Sequence, residues 1–112
     1  MGQLIYGSSD VYEFDDRVLA HVQVVVGRKL RRHETFYLSW VKPVESGSGR
    51  VTVWISPHIP LQFHFVGGRP PRLNDAWLRE MLTTSHGDRG LVVTREPDSL
   101  PLTEQPRPPA LG

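Results

Sequence analysis

RVTVWISPHIPLQFHFV, residues 50–66, decides the fold, because two alternating runs flank a loop that two prolines hold open. Successive side chains on a strand point to opposite faces. Val51, Val53 and Ile55 in the first run and Leu61, Phe63 and Phe65 in the second therefore each make one apolar side. The simplest arrangement is a hairpin pairing Ile55 with Leu61 across residues 56–60. Val53 then faces Phe63, Val51 faces Phe65, Trp54 faces Gln62 and Thr52 faces His64, so every pair sorts by face. A one-residue slip would mix the faces, which specifies the register. Pro57 and Pro60 cannot donate to a ladder and belong to the turn. The opposite face carries Thr52, Trp54, Gln62 and His64, and is the surface on which to look for function.

Working outward, Thr35 to Val41 is rich in aromatic and β-branched residues and reads as a strand that joins the hairpin through a turn at Glu45 to Gly49. Pairing Leu38 with Val53 aligns Tyr37, Trp54 and Gln62 in one row and Ser39, Thr52 and His64 in the next. Before it, Asp15 or Asp16 caps a helix whose apolar residues recur at Leu19, Val22, Val25, Val26 and Leu30, with Phe14 placed as a staple to Leu19. We extend this helix through Arg32 despite Gly27, which costs up to about 1 kcal/mol against alanine. Its last turn, Arg28-Lys29-Leu30-Arg31-Arg32, is basic. Cations there complement the helix dipole, and they could also track phosphates. Gln3 to Tyr6 and Val11 to Phe14 form a short hairpin closed by Gly7 to Asp10. After a stiff break at residues 67–71, Asn74 caps a second helix with Leu73 as its staple to Leu78, and Trp77, Leu78, Met81 and Leu82 form its buried stripe. Gly87 ends it, and Leu91 to Thr94 is a last strand.

The order ββαβββαβ predicts an α+β domain over residues 1–96: an antiparallel sheet of about six strands with both helices on one face. Residues 97–112 contain five prolines in sixteen positions and read as an extended, disordered tail.

A chain of 112 residues with 38% hydrophobic and 22% charged residues supports one soluble domain with a modest core. It has no cysteine, which excludes disulfides and thiolate zinc sites and suits a reducing cytoplasm. No apolar run has the length of a membrane span, and MGQLIYGSSD lacks the form of a secretory signal, so we expect a cytoplasmic protein. The net charge of +1 means that any attraction to nucleic acid must come from a local patch.

Motifs for chemistry are missing. No serine sits in G-x-S-x-G, and the five histidines, His21, His33, His58, His64 and His86, form no H-E-x-x-H or comparable pair. Neither Gly47-Ser48-Gly49 nor Gly67-Gly68 has the lysine of a phosphate loop. We expect no catalytic residue, no metal and no cofactor.

Taken together, LIYGSS (4–9), EFDDRVLAHVQVVVGRKLRR (13–32), FYLSW (36–40), GSGRVTVWISPHIPLQFHF (47–65), RPPRLNDAW (69–77) and GLVVTREP (90–97) resemble a family of short actinobacterial proteins with a domain of unknown function. Members of that family often carry the label ATP-dependent DNA ligase. The resemblance brings no catalytic residues with it. A nucleotidyl-transferring ligase needs a lysine in K-x-D-G, whereas Lys29 stands in KLRR and Lys42 in KPVE, so no adenylation motif supports that label.

Two functions follow. In the first, a nucleic-acid-binding module stacks bases on Tyr37 and Trp54, with Arg50, Gln62 and His64 supplying charge and hydrogen bonds and Arg28, Lys29, Arg31 and Arg32 tracking phosphates. In the second, the same face is a protein-interaction or homodimer surface anchored by Trp54.

Overall fold

The computed structural model describes residues 1–42 and 44–97. Its elements are β1 (Gly2–Tyr6), β2 (Asp10–Phe14), α1 (Asp16–Arg31), β3 (Phe36–Val41), β4 (Arg50–Ile55), β5 (Leu61–His64), α2 (Asp75–Thr84) and β6 (Leu91–Val92), with a 3-10 turn at Val44–Ser46. The order is the expected ββαβββαβ, and the class is α+β. The expected tail, apart from Pro97, lies outside the described residues.

One six-stranded sheet does not form. The strands divide into two three-stranded sheets, β2-β1-β5 and β4-β3-β6. The expected hairpin between residues 50–55 and 61–65 is therefore corrected. β5 pairs antiparallel with β1, Leu61 opposite Tyr6 and Phe63 opposite Leu4, while β4 pairs with β3. The loop between them is a crossing from one sheet to the other. Ser56 closes it by accepting the Ile59 N–H on its carbonyl at 3.1 Å and the His58 N–H on its side chain at 3.2 Å. The Pro60 carbonyl then accepts the Gly7 N–H at 2.9 Å, which starts the β1 pairing. The expectation of a wholly antiparallel sheet is corrected as well, since β6 runs parallel to β3 with Leu91 beside Leu38.

Both sheets turn their apolar sides toward a shared core. Leu4, Phe14, Leu38, Trp40, Val53, Ile55 and Leu91 are buried from the sheets, with Leu19, Val22, Val25 and Val26 from α1 and Trp77, Leu78 and Met81 from α2. Each such aliphatic side chain contributes about 1.5–3 kcal/mol when fully buried. α1 packs on β1 and on α2, and α2 packs on β6, so the helices do not share one sheet face as expected. Trp40 links the sheets edge-on to Tyr12 at 5.1 Å and tilted against Phe14 at 5.0 Å. The Tyr6 hydroxyl donates to the Trp54 carbonyl and joins the two sheets at another point.

The helix starts follow the sequence, while α1 stops at Arg31 and α2 at Thr84, short of the expected Arg32 and Gly87. Asp15 caps α1 by accepting the Arg17 N–H at 2.8 Å. Asp16 instead accepts the N–H groups of Val66 and Gly67, at 3.1 and 2.8 Å, which ties the end of β5 to the start of α1. At the other end the His33 N–H reaches the Leu30 carbonyl and the Glu34 N–H the Lys29 carbonyl, a Schellman closure with His33 at φ 59° where glycine is usual. Asn74 caps α2 through the Trp77 N–H at 3.2 Å, whereas the expected staple Leu73 is exposed.

No helix among the described residues is long and apolar enough to cross a membrane.

Candidate functional site

Among the described residues nothing covers the outer face of β3 and β4. The register places Tyr37 opposite Trp54, Ser39 opposite Thr52 and Val41 opposite Arg50, all pointing away from the core. This is the row expected for Tyr37 and Trp54. Tyr37 is 48% exposed and Trp54 45%, with their rings edge to face at 5.0 Å. Ser39 and Thr52 share a hydroxyl hydrogen bond of 2.9 Å in the next row. Beyond them Val41 is 70% exposed, so the face alternates aromatic, hydroxylic and aliphatic bands.

A groove of about 720 Å3 runs along this face, bordered by Tyr37, Arg50 and Thr52 on the sheet and by Asp88 and Arg89 on the turn that follows α2. Sequence reasoning missed Arg89. Gly87 read only as the end of the second helix, and nothing in residues 87–90 tells which strand they lie against; the parallel β3–β6 pair decides that. Gly90 sets the closeness of the turn. Its φ is +75°, and a Cβ there would lie 2.5 Å from the Tyr37 carbonyl oxygen.

The other expected site residues are elsewhere. Gln62 and His64 are exposed on the other sheet, opposite Ile5 and Gln3, so the rows expected to join them to Trp54 and Thr52 do not exist. Arg28 and Arg31 are exposed along a second groove, between α1 and β5. Lys29 turns inward. Its side chain is 13% exposed, with Nζ 2.9 Å from Glu34, 3.1 Å from the Ser85 hydroxyl and 5.6 Å above the Phe36 ring. Arg32 pairs with the other oxygen of Glu34 at 3.3 Å. The Lys29 hydrogen bond and ammonium, with help from Arg32, hold Glu34 below the usual carboxylate range. The basic end of α1 thus divides into an inward Lys29 and an exposed Arg32, both paired with Glu34, and two exposed arginines that make no such pair among the described residues.

The strongest electrostatic feature was not legible in the sequence. Arg17 grips Glu96 with a fork, Nε to Oε1 at 2.8 Å and Nη2 to Oε2 at 2.7 Å, while Asn74 donates to Oε2 at 2.9 Å. These bonds lower the Glu96 carboxyl from 4.5 to about 2 and raise Arg17 in return. His21, fully buried against Trp77, accepts the Asn74 N–H on Nε2 at 2.8 Å, so its proton sits on Nδ1 and points at the Arg17 carbonyl 2.7 Å away. Trp77 donates to the Thr94 carbonyl at 2.9 Å. The network fastens residues 94–96 across α1 and the start of α2. Every polar atom in it that could do chemistry is already held by a structural partner, except the buried Thr94 hydroxyl, which has none among the described residues. Among those residues no cluster of three histidines or carboxylates could hold a metal ion.

Residues 1–96 match the model of a family described as Domain of unknown function (DUF7882). The chain belongs to this family. The match covers both sheets, both helices and Glu96, so the open face and the Arg17–Glu96 clasp both fall within the domain that defines the family. No curated protein and no solved structure matches the chain.

Proposed function

We propose that the open face of β3 and β4 binds single-stranded nucleic acid, with Tyr37 and Trp54 as the stacking platform and Arg50 and Arg89 as the phosphate contacts. The observation that carries this reading is the half-exposed aromatic pair whose Tyr37 lines a groove that Arg50 and Arg89 also line. Bases stack on aromatic rings with little regard to sequence, for about 1–3 kcal/mol each, and two arginines along one groove suit the backbone between stacked bases. Gln62 and His64 play no part, because they lie on the other sheet. The domain works in this reading as a cytoplasmic binding module. The ligase label of the actinobacterial proteins it resembles then reflects at most association with a DNA-joining partner, since neither Lys29 nor Lys42 stands in an adenylation motif.

The test is a fluorescence-anisotropy titration of labelled oligo(dT) at rising salt. Two phosphate contacts give a slope of log K against log salt near −1.4, and Arg50→Ala should flatten it by about 0.7. Binding that ignores salt and survives Trp54→Ala would end this reading.

One observation favours a second reading. β4 is an edge strand, and beside it Tyr37 and Trp54, with Val41 beyond the hydroxyl row, leave apolar surface exposed. Such an edge is a template for pairing with another chain. In that case the domain forms a homodimer or takes a protein partner on the same face, and sedimentation at rising protein concentration shows an association that Trp54→Ala removes.

A further inference from the structure

We propose that the free edge of β5, on the far sheet from the aromatic face, is a strand-addition site for an extended peptide with acidic residues at one end. The first support is the direction of the backbone groups. Gly7 donates to Pro60, so in the β1–β5 register Gly7, Ile5 and Gln3 turn their backbone groups toward β5 and meet Pro60, Gln62 and His64. Antiparallel pairs alternate between bonded and non-bonded positions. The amide and carbonyl groups of Leu61 and Phe63 therefore point away from β1, to an edge that no other described strand occupies.

That edge does not open onto bare solvent. α1 lies alongside, its first residue bonded to Val66 and Gly67 and its last turns next to the start of β5, so a groove of about 610 Å3 runs between them. Val24, Leu30, Ile59, Leu61 and Phe63 give it apolar walls, and all five are only partly buried. An added strand would take its main-chain bonds from Leu61 and Phe63 and lay alternate side chains on these walls, the usual division of affinity and specificity in strand addition.

Gly27 is the second support. It sits inside the C-terminal half of α1, where glycine costs up to about 1 kcal/mol against alanine, and it lines this groove. Packing does not call for it, since a Cβ at this position would meet nothing within 4 Å. Its missing side chain keeps the groove wide enough for a polypeptide backbone.

Charge selects the occupant. Arg28 and Arg31 are exposed and line the groove together with Ile59 and Leu61; among the described residues no carboxylate lines it and neither arginine makes a salt bridge. Their neighbours Lys29 and Arg32 are the ones paired with Glu34. A peptide with glutamates beside Arg28 and Arg31 and β-branched residues beyond them matches both features.

The experiment titrates the full chain with fluorescent peptides of alternating valine and threonine, carrying a glutamate pair or a lysine pair at either terminus, and follows anisotropy. The glutamate peptides should bind saturably and the lysine peptides at least tenfold more weakly. Arg28→Glu combined with Arg31→Glu should invert that preference. Gly27→Met, which fills the groove with a better helix former, should weaken glutamate-peptide binding at least tenfold without lowering the melting temperature. Methylation of alternate peptide nitrogens should abolish binding in one register of methyl groups and spare it in the other. Equal binding of glutamate and lysine peptides, full binding by Gly27→Met, displacement of the peptide by oligo(dT), or no binding at all would each overturn the proposal. Because the aromatic face is on the other sheet, Trp54→Ala should leave peptide binding unchanged, and a loss there would also count against it.

Discussion

Replacing Glu96 by glutamine removes a charge that the fold holds tightly, and the expected loss can be worked from the geometry. The carboxylate accepts three short hydrogen bonds, two from Arg17 and one from Asn74, and its pKa falls from 4.5 to about 2. At about 1.4 kcal/mol per unit, that depression sets a ceiling of roughly 3 kcal/mol. The side chains of Arg17 and Glu96 are 38% and 26% exposed, so water screens the pair, and about 1–2 kcal/mol is the expected contribution. In a domain of this size that corresponds to a fall in melting temperature of roughly 5–10 °C for Glu96→Gln at neutral pH. The pH dependence has a definite sign. A carboxyl whose folded pKa is depressed stabilises the native state fully above its unfolded value, and that stability drains away as the pH falls from about 4.5 through about 2. Asp16 and Glu34 are lowered too and drain in the same direction, but they are present in both chains and cancel in the difference. Thermal melts followed by circular dichroism from pH 7 to pH 2 should therefore show a gap that closes toward the acid end. A gap that stays constant across that range, or is missing at pH 7, would refute the account of the clasp.

Trp54→Ala should weaken oligonucleotide binding by about 1–3 kcal/mol and barely change the melting temperature, whereas Trp77→Ala, deleting a ring only 2% exposed, should cost about 3–5 kcal/mol of stability; denaturant titration of both variants makes the comparison, and equal losses would place Trp54 in the core. His33→Gly should raise stability by about 0.5–1 kcal/mol, because His33 occupies the left-handed position of the α1 closure at φ 59° and its ring has no hydrogen bond among the described residues; a lower melting temperature would show that the ring does packing work. Thr94→Val should also stabilise, by up to about 1–2 kcal/mol, since it replaces a buried hydroxyl that has no partner among the described residues with a methyl of the same shape. Loss of stability in urea titration would mean that the hydroxyl is satisfied by water.

What the sequence made legible was decided by local physics. Caps were readable at Asp15 or Asp16 and at Asn74 because a carboxylate or amide before an apolar helical stripe suits a helix start, and Asp15 and Asn74 are the residues that accept a first-turn N–H. The β3–β4 register was readable because alternation on two strands joined by a short connection leaves one pairing that buries both apolar faces. The same alternation misled for β4 and β5. It states which side of each run is apolar, and Ile55 and Leu61 do both face the core, yet it says nothing about which strand lies alongside. Five residues with two prolines fit a wide hairpin and a crossing between sheets equally well. The difference is made by β1, at the start of the chain, whose Leu4 and Tyr6 meet Phe63 and Leu61.

The candidate site divides along the same line. Tyr37, Trp54 and Arg50 were legible because one register places them on one face. Arg89 was not, because the parallel β3–β6 contact that brings it there is set by tertiary packing of α2. The basic run at the end of α1 shows why composition alone misleads. Four cations in five residues look like one phosphate-binding patch, but a helix turns about 100° per residue, so neighbours in sequence point in different directions. Lys29 meets the Phe36 ring, Ser85 and Glu34, while Arg28 and Arg31, three apart, share the face toward β5. The charge left for a ligand is thus two arginines beside an apolar strand edge. That arrangement suits the carboxylates of an extended peptide better than a phosphate backbone, since the peptide can also satisfy the outward amides and carbonyls of Leu61 and Phe63, which nucleic acid would leave to water.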